Sequence, residues 1–90
     1  MDASADAEAE AAYDWYAARN VQAAHGFREQ LREAIQHISE DAEGQPRFDG
    51  EIRRYLLPKY PYGVLYELID DAVFVIAVTH LRREPGYWRK

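Results

Sequence analysis

The 90-residue sequence predicts a single α+β domain, 1–90, in which an N-terminal antiparallel helical hairpin packs on a three-stranded antiparallel sheet. Apolar residues recur at helical spacing up to about residue 42, and strand-like alternation begins near residue 51. The chain holds 14 alanines, 12 of them before position 43, and alanine buries little apolar area. The sequence therefore predicts one thin core that a partner chain would stabilise.

The first helix is predicted over about 4–19, where strong helix formers follow one another. Ser4 is the predicted N-cap. Spacings of four, three and four residues place one set of side chains on a single face: Ala5, Ala9, Ala12 and Tyr16. Trp15 is predicted to pack in the core or within the hairpin. Because the face is formed mainly by alanine, a second helix can approach closely.

The second helix is predicted over about 21–42, with Gly44 and Pro46 after its end. Asn20 can end the first helix or cap the second. The residues predicted to face the core recur every three or four positions: Val21, Ala24, Phe27, Leu31, Ala34 and Ile38. The short joint between the helices predicts an antiparallel hairpin.

Three strands are predicted over about 51–57, 62–69 and 72–79, after a loop at 44–50. Asp70 and Asp71 are predicted to form a hairpin tip. The third strand is apolar on both faces, which predicts that it lies at the centre of the sheet. A basic, aromatic tail follows at 80–90.

Charge is divided unevenly along the chain, whose net charge is −5. Residues 1–51 carry 12 acids and 4 bases, for a net −8, and residues 52–90 carry 7 bases and 4 acids, for a net +3. The acidic balance argues against general or sequence-specific nucleic-acid binding. No apolar run approaches the roughly 18–20 residues of a membrane span, and the acidic N-terminus does not resemble a signal peptide, so the expected location is the cytoplasm.

Metal and cofactor chemistry is not expected from the residue types. The chain has no cysteine, which excludes disulfides, thiolate zinc sites and cysteine nucleophiles. Its three histidines and 16 acids show no convincing metal-ligand spacing. No cofactor-binding motif is recognised, and the prediction is a protein without a metal or a cofactor.

Four stretches together resemble the RelE/ParE superfamily of toxins from type II toxin–antitoxin systems, and they cover about 5–90. They are Ala7-Glu8-Ala9-Glu10 through Trp15-Tyr16; Ala24, Phe27, Leu31 and Ile35; Ile52-Arg53 with Tyr60-Pro61-Tyr62 and Leu65-Tyr66; and Val73 to Val78 followed by His80-Leu81-Arg82-Arg83-Glu84-Pro85. The long hairpin is closer to the ParE, or plasmid stabilisation, branch.

The resemblance also implies a short strand before the first helix. Only Met1, Asp2 and Ala3 precede the helical run here, so this strand is expected to be short or missing. Its absence would leave an unpaired sheet edge. We expect that edge to be filled by a partner strand or by a second copy of the chain in a homodimer.

The ParE-like resemblance implies a toxin that inhibits growth by binding DNA gyrase, needs no catalytic centre, and is neutralised by a cognate antitoxin. The alternative is a ribosome-dependent, metal-independent mRNA endoribonuclease of the RelE type. Its candidate catalytic residues would be Arg54, His80, Arg82 and Tyr87. Leu56 and Gly63 stand where that branch expects two further cations, which disfavours nuclease activity. A second alternative is a decayed toxin that retains only antitoxin binding.

Basic and aromatic residues near the C-terminus are the predicted contacts to the target or the antitoxin. They are Arg53, Arg54, Arg82, Arg83, Tyr87 and Trp88. Neighbouring strand residues point to opposite faces, so one of Arg53 and Arg54 is expected to pair with an acid of the helices. His80 has two readings, a general base or a structural residue that hydrogen-bonds the loop or the tail.

Overall fold

The computed structural model describes residues 1–83 and 86–88, so the parts of the predicted tail at 84–85 and 89–90 lie outside the described residues. Two helices precede a short 3-10 turn and four strands. The elements are α1 (Ala3–Ala17), α2 (Val21–Glu40), the turn at Ala42–Gly44, β1 (Arg47–Asp49), β2 (Ile52–Leu56), β3 (Tyr62–Ile69) and β4 (Ala72–His80). The predicted α+β class is confirmed, with one strand more than expected.

Helix α1 begins one residue before the predicted N-cap. Asp2 caps it, and its Oδ1 accepts a hydrogen bond from the Ser4 backbone N–H at 3.2 Å. The predicted alanine face is the buried one, with Ala5 and Ala12 almost inaccessible. Trp15 departs from its prediction, since it is 53% exposed. The Arg19 guanidinium carbon lies 3.8 Å from the centre of its ring, and the Tyr16 ring lies edge-on to it.

Helix α2 is capped by Asn20, whose Oδ1 accepts from the backbone N–H groups of Gln22 at 2.9 Å and Ala23 at 3.3 Å. Five of the six residues predicted to face the core are buried: Ala24, Phe27, Leu31, Ala34 and Ile38. Val21, the first residue of the helix, is exposed. The helix ends at Glu40, slightly before the predicted end.

The sheet is antiparallel with the order β1-β2-β3-β4. The segment predicted as a loop therefore contains a three-residue strand, β1, on β2. The prediction that the third apolar strand is central is wrong, because β4 lies at the sheet edge. Its second apolar face has a different cause: Ala77 and Thr79 are buried on the side away from the helices, where Trp88 lies nearby.

The two faces of the sheet are distinguished by register. Arg53, Tyr66 and Val75 are opposite one another across β2, β3 and β4 and lie on the face covered by the helices, the inner face. Arg54, Leu65 and Ala77 form the next row and lie on the opposite, outer face. The inner face holds the main core, including an aromatic cluster of Tyr16, Phe27, Tyr60 and Tyr62.

Gly26 allows the turn before β3 to lie directly on α2. The Tyr60 hydroxyl donates a hydrogen bond to the Ala23 carbonyl at 2.7 Å. A Cβ at position 26 would overlap that hydroxyl. The glycine that weakens an isolated helix is here the residue that permits this helix–turn contact.

The N-terminal segment covers part of the edge of β4 that is not paired with β3. The Asp2 backbone N–H donates to the Val75 carbonyl at 2.9 Å. Six residues further along the chain, within α1, Glu8 Oε1 accepts from the Val78 backbone N–H at 3.1 Å. The Val75 carbonyl and the Val78 N–H on this edge therefore have hydrogen-bond partners, although no strand pairs with them. Occupation of the remaining edge by a partner strand or a second copy stays a prediction.

Helix α1 has 15 residues and helix α2 has 20. Neither is both long enough and apolar enough to cross a bilayer.

Candidate functional site

Three of the six predicted contact residues, together with His80, lie near the end of β4 on the outer face. Arg54, His80, Arg83 and Trp88 line one small cavity of about 200 Å³. We call it the outer cavity, and its other lining residues are Phe48, Leu65, Thr79 and Leu81. The structure therefore brings together four of the residues singled out in the sequence.

Arg54 reaches the outer cavity from β2. Its guanidinium carbon lies 4.2 Å from the centre of the Phe48 ring, a cation–π contact with the short first strand. The methylene groups of Arg54 lie against Gly63. A Cβ added at position 63 would lie 3.2 Å from Arg54 Cγ. A larger residue at position 63 would crowd these methylene groups, so Gly63 gives Arg54 its position.

Arg83 and Trp88 reach the outer cavity from the segment after β4. The Arg83 guanidinium carbon lies 4.1 Å from the centre of the Tyr87 ring. The Trp88 ring packs against Phe48, with ring centres 5.9 Å apart. The Trp88 indole N–H is buried and has no hydrogen-bond partner among the described residues. A buried donor left unpaired is unusual and marks this wall of the cavity.

His80, the last residue of β4, is held by its own turn. Its Nδ1 accepts a hydrogen bond from the Arg82 backbone N–H at 3.0 Å, so the neutral ring carries its proton on Nε2. Its ring lies edge-on to Tyr62, with centres 5.1 Å apart. These contacts favour the hypothesis that His80 is a structural residue. The Arg82 side chain is exposed and lines neither described cavity.

Tyr87 points away from the outer cavity and towards α1. Its hydroxyl donates a very short hydrogen bond to Glu8 Oε2, while the other oxygen of that carboxylate accepts from Val78. Burial and, second, the bond to Glu8 raise the pKa of Tyr87 to about 12. The hydroxyl therefore remains a protonated donor at neutral pH and is a poor general base.

Arg53 is separated from the other predicted contacts. It lies on the inner face, and its Nη1 donates to the backbone carbonyls of Glu43 at 3.2 Å and Gln45 at 2.5 Å. These carbonyls follow the end of α2, so Arg53 ties that helix end to β2. The sequence predicts an acidic side chain of the helices as partner, whereas Arg53 donates to these two backbone carbonyls.

A larger groove of about 590 Å³ lies between α1 and the end of β4. Its lining is mostly apolar: Ala11, Ala12, Trp15, Tyr16, Pro61, Tyr62 and Val78, with Glu8, Thr79, His80 and Arg83 as the polar residues. Sequence reasoning missed this groove and the role of Glu8, because the contacts of Glu8 are 70 and 79 positions away in the chain. Thr79, His80 and Arg83 line both cavities.

The described ranges are 1–83 and 86–88. Within these ranges no group of three His, Asp or Glu side chains is arranged to hold a metal ion. The polar chemistry of the described site consists of guanidinium, imidazole and indole donors.

Comparison with known proteins identifies the family. The sequence model described as "ParE toxin of type II toxin-antitoxin system, parDE" matches residues 1–85. The chain belongs to this ParE family. The superfamily and branch expected from the sequence are therefore confirmed. Membership identifies the chain as a toxin of a type II toxin–antitoxin system, and the ParE family implies an antitoxin partner.

A solved structure described as the chromosomal ParDE TA system from P. aeruginosa shares this fold. The alignment covers 88% of this ParE-family chain and 89% of that chain, with a TM-score of 0.77 and 17% sequence identity. At this identity the likeness establishes the fold alone. A comparison with curated proteins gives no match.

Proposed function

We propose that this ParE-family toxin acts in the cytoplasm by binding DNA gyrase, and that a cognate antitoxin neutralises it. The proposal is supported by the positions and contacts of the four candidate nuclease residues. Arg54 and His80 line the outer cavity, Arg82 lies outside it, and the Tyr87 hydroxyl is bound to Glu8. This arrangement favours a binding protein over a nuclease.

RNA cleavage through a 2′-hydroxyl needs a base, cations around the phosphorane and a proton donor for the leaving oxygen. Tyr87 is a poor base because its pKa is raised to about 12. Leu56 and Gly63 supply no charge where the nuclease branch has cations. One strand arginine, Arg54, then remains on this face to meet the developing negative charge.

The proposed contact surface consists of four residues around the end of β4: Arg54, Arg82, Arg83 and Trp88. Arg53 and Tyr87 support this surface from within the fold, through the contacts to the α2 end and to Glu8. A partner would meet fixed guanidinium groups beside an aromatic ring, and such residues are enriched at protein interfaces.

Gyrase supercoiling and in vitro translation distinguish the two mechanisms on the same purified chain. We expect supercoiling to be inhibited in proportion to toxin concentration, and the mRNA to stay intact. Arg83→Gln should weaken inhibition, whereas Lys59→Gln, which removes an equal charge from the turn before β3, should not. Cleaved mRNA would overturn the proposal in favour of the nuclease. Inactivity of a folded chain in both assays would point to a decayed toxin.

Neutralisation requires a separate experiment. The small open reading frame next to the gene for this chain, if it encodes an antitoxin, should restore growth when the two are co-expressed. The two proteins should co-purify in a fixed ratio. Growth arrest that persists despite a stable complex would contradict neutralisation.

A further inference from the structure

We propose that the outer cavity binds a carboxylate, supplied by an aspartate or glutamate side chain of the antitoxin. The inference rests on that part of the proposed function which gives this toxin an antitoxin partner, and it is independent of gyrase. It concerns one anchoring contact with two arginines, Arg54 and Arg83, at its centre.

Arg54 and Arg83 form no close ion pair with another described residue. Three other arginines form ion pairs, Arg28 with Glu10, Arg32 with Glu29 and Arg47 with Glu51. Among the described residues, no carboxylate oxygen lies within 4.0 Å of Arg54 or Arg83. In a chain with 16 acids and 11 bases, two neighbouring arginines without such a partner form a local positive site.

Aromatic rings hold both guanidinium groups in place. Arg54 lies over Phe48 and Arg83 over Tyr87, and Tyr87 is itself tied to α1 through Glu8. The two side chains are therefore restrained before any partner arrives. Less conformational entropy is lost when such groups bind an anion.

Two further hydrogen-bond donors belong to the same cavity lining. His80 keeps its proton on Nε2, because Nδ1 accepts from Arg82. The Trp88 indole N–H is buried without a partner among the described residues. None of the eight lining residues is acidic. A carboxylate can accept hydrogen bonds through two oxygens, and arginine meets it in a two-pronged geometry.

The walls favour a carboxylate carried on a side chain over a nucleic-acid phosphate. Phe48, Leu65, Leu81 and Trp88 supply apolar surface that the methylene groups of an acidic residue would cover. A volume of about 200 Å³ fits one side chain. Nucleic acid carries many charges, and the net −8 of residues 1–51 opposes its approach.

The test uses the full chain labelled with ¹⁵N and three probes. They are N-acetyl-glutamate N-methylamide, the matching glutamine derivative as an uncharged control, and inorganic phosphate. The glutamate probe should shift the Trp88 indole N–H resonance to saturation and leave that of Trp15 in place. The glutamine probe should shift neither. A response to phosphate with none to glutamate would overturn the inference in favour of a phosphate ligand.

Substitutions assign the binding to the two arginines. Arg54→Gln and Arg83→Gln should each raise the dissociation constant of the glutamate probe about tenfold, as expected for loss of a charged hydrogen bond. Lys59→Gln should leave it unchanged. An unaltered dissociation constant in folded Arg54→Gln and Arg83→Gln chains would refute the inference. Circular dichroism of each variant shows that it is folded.

The complex with the antitoxin supplies the second readout. Arg83→Gln should weaken the toxin–antitoxin complex, and Lys59→Gln should not. Equal affinity of both variants for the antitoxin would overturn this inference and leave neutralisation intact. Gyrase inhibition by the free toxin is measured separately, so failure of the gyrase proposal is distinguishable from failure of the carboxylate site.

Discussion

The inner and outer faces of the same sheet differ in how they are covered. The inner face packs on both helices, and Phe27, Val64 and Tyr66 there are almost completely buried. Among the described residues, Phe48 and Trp88 cover the outer face near the end of β4. Further along, Phe74 remains 47% exposed and Ile69 is also exposed. Most of the buried apolar core therefore lies on the inner face.

Two arginines of the proposed contact surface lie on the outer face, where less apolar area is buried. Arg54 and Arg83 lie at the thinly covered outer cavity. Arg53, one position from Arg54, serves the inner side by binding backbone carbonyls after α2. A change on the outer face should therefore affect binding more than folding, and a change on the inner face should do the reverse.

The largest expected difference between the faces is for phenylalanine truncation. Phe27→Ala should destabilise the chain by about 3–5 kcal/mol, because the ring is buried among Tyr16, Tyr60 and Tyr62. Phe74→Ala on the outer face should cost less than about 1 kcal/mol. Urea unfolding followed by circular dichroism gives both values.

Phe27→Leu is the milder inner-face variant if the alanine variant does not fold. It should still be less stable than Phe74→Ala. Equal losses in the free energy of unfolding at the two positions would contradict this prediction, since the outer face would then contribute as much to folding as the inner face.

Two glycine substitutions provide a smaller and more local comparison. A Cβ at Gly26 would overlap the Tyr60 hydroxyl, so Gly26→Ala should destabilise by about 1–3 kcal/mol despite the higher helix propensity of alanine. At Gly63 the nearest atom is Arg54 Cγ, part of a flexible side chain, and Gly63→Ala should cost less. Thermal unfolding of both variants measures the difference.

Tyr60→Phe provides the control for the Gly26 prediction. With the hydroxyl removed, Gly26→Ala should become neutral or stabilising, because the helix gain of about 1 kcal/mol is no longer opposed. If the alanine is equally harmful with and without the hydroxyl, the close approach is not its cause.

Local patterns predicted the helices well. The buried residues of α2, such as Ala24, Leu31 and Ile38, follow from helical periodicity, which depends only on near neighbours in the chain. Strand order is a long-range property, and the apolar pattern of β4 alone does not determine where this strand lies in the sheet. Its apolar second face is explained by Trp88, whose position no periodicity indicates. Strand β1 has three residues, too few to form a recognisable pattern.

For the candidate site, sequence reasoning identified residue types but not their partners. Arg54, Arg83 and Trp88 were singled out because they are basic or aromatic, and the structure places them in one cavity. It could not predict that Arg53 binds backbone carbonyls, because neighbouring strand residues are equivalent until the faces are known. The contacts of Glu8 with Val78 and Tyr87 span 70 and 79 positions, and no local pattern indicates them.

The Tyr87–Glu8 contact joins α1 to the segment beside the outer cavity, and pH tests it. The pKa of Tyr87 is raised to about 12, above its ordinary value of 10.0. Its stabilisation is therefore complete below about pH 10 and is lost as pH rises towards about 12. The stability difference between the native chain and Tyr87→Phe should shrink over this interval, as measured by urea unfolding at each pH.

Burial also raises the pKa of Tyr16, Tyr62 and Tyr66, so only the difference from Tyr87→Phe isolates Tyr87. Glu8→Gln should retain part of the pH dependence, because burial is the larger cause of the shift and the hydrogen bond the second. A constant difference between the native chain and Tyr87→Phe from pH 9 to 12 would show that the tyrosine is not buried against Glu8.

The smallest expected effect lies at the β3–β4 turn, outside the helix-covered core and the outer cavity. Asp70 and Asp71 have φ angles of 51° and 66°, in the left-handed region that glycine adopts without strain. Asp71→Gly should stabilise the chain by less than about 1 kcal/mol, because glycine removes the strain but gains freedom when unfolded. Asp71→Ala should destabilise, since it keeps a Cβ at positive φ. Thermal unfolding measures both, and binding of the glutamate probe should remain unchanged in each. A destabilised Asp71→Gly chain would mean that the aspartate side chain, and not backbone strain, determines this turn.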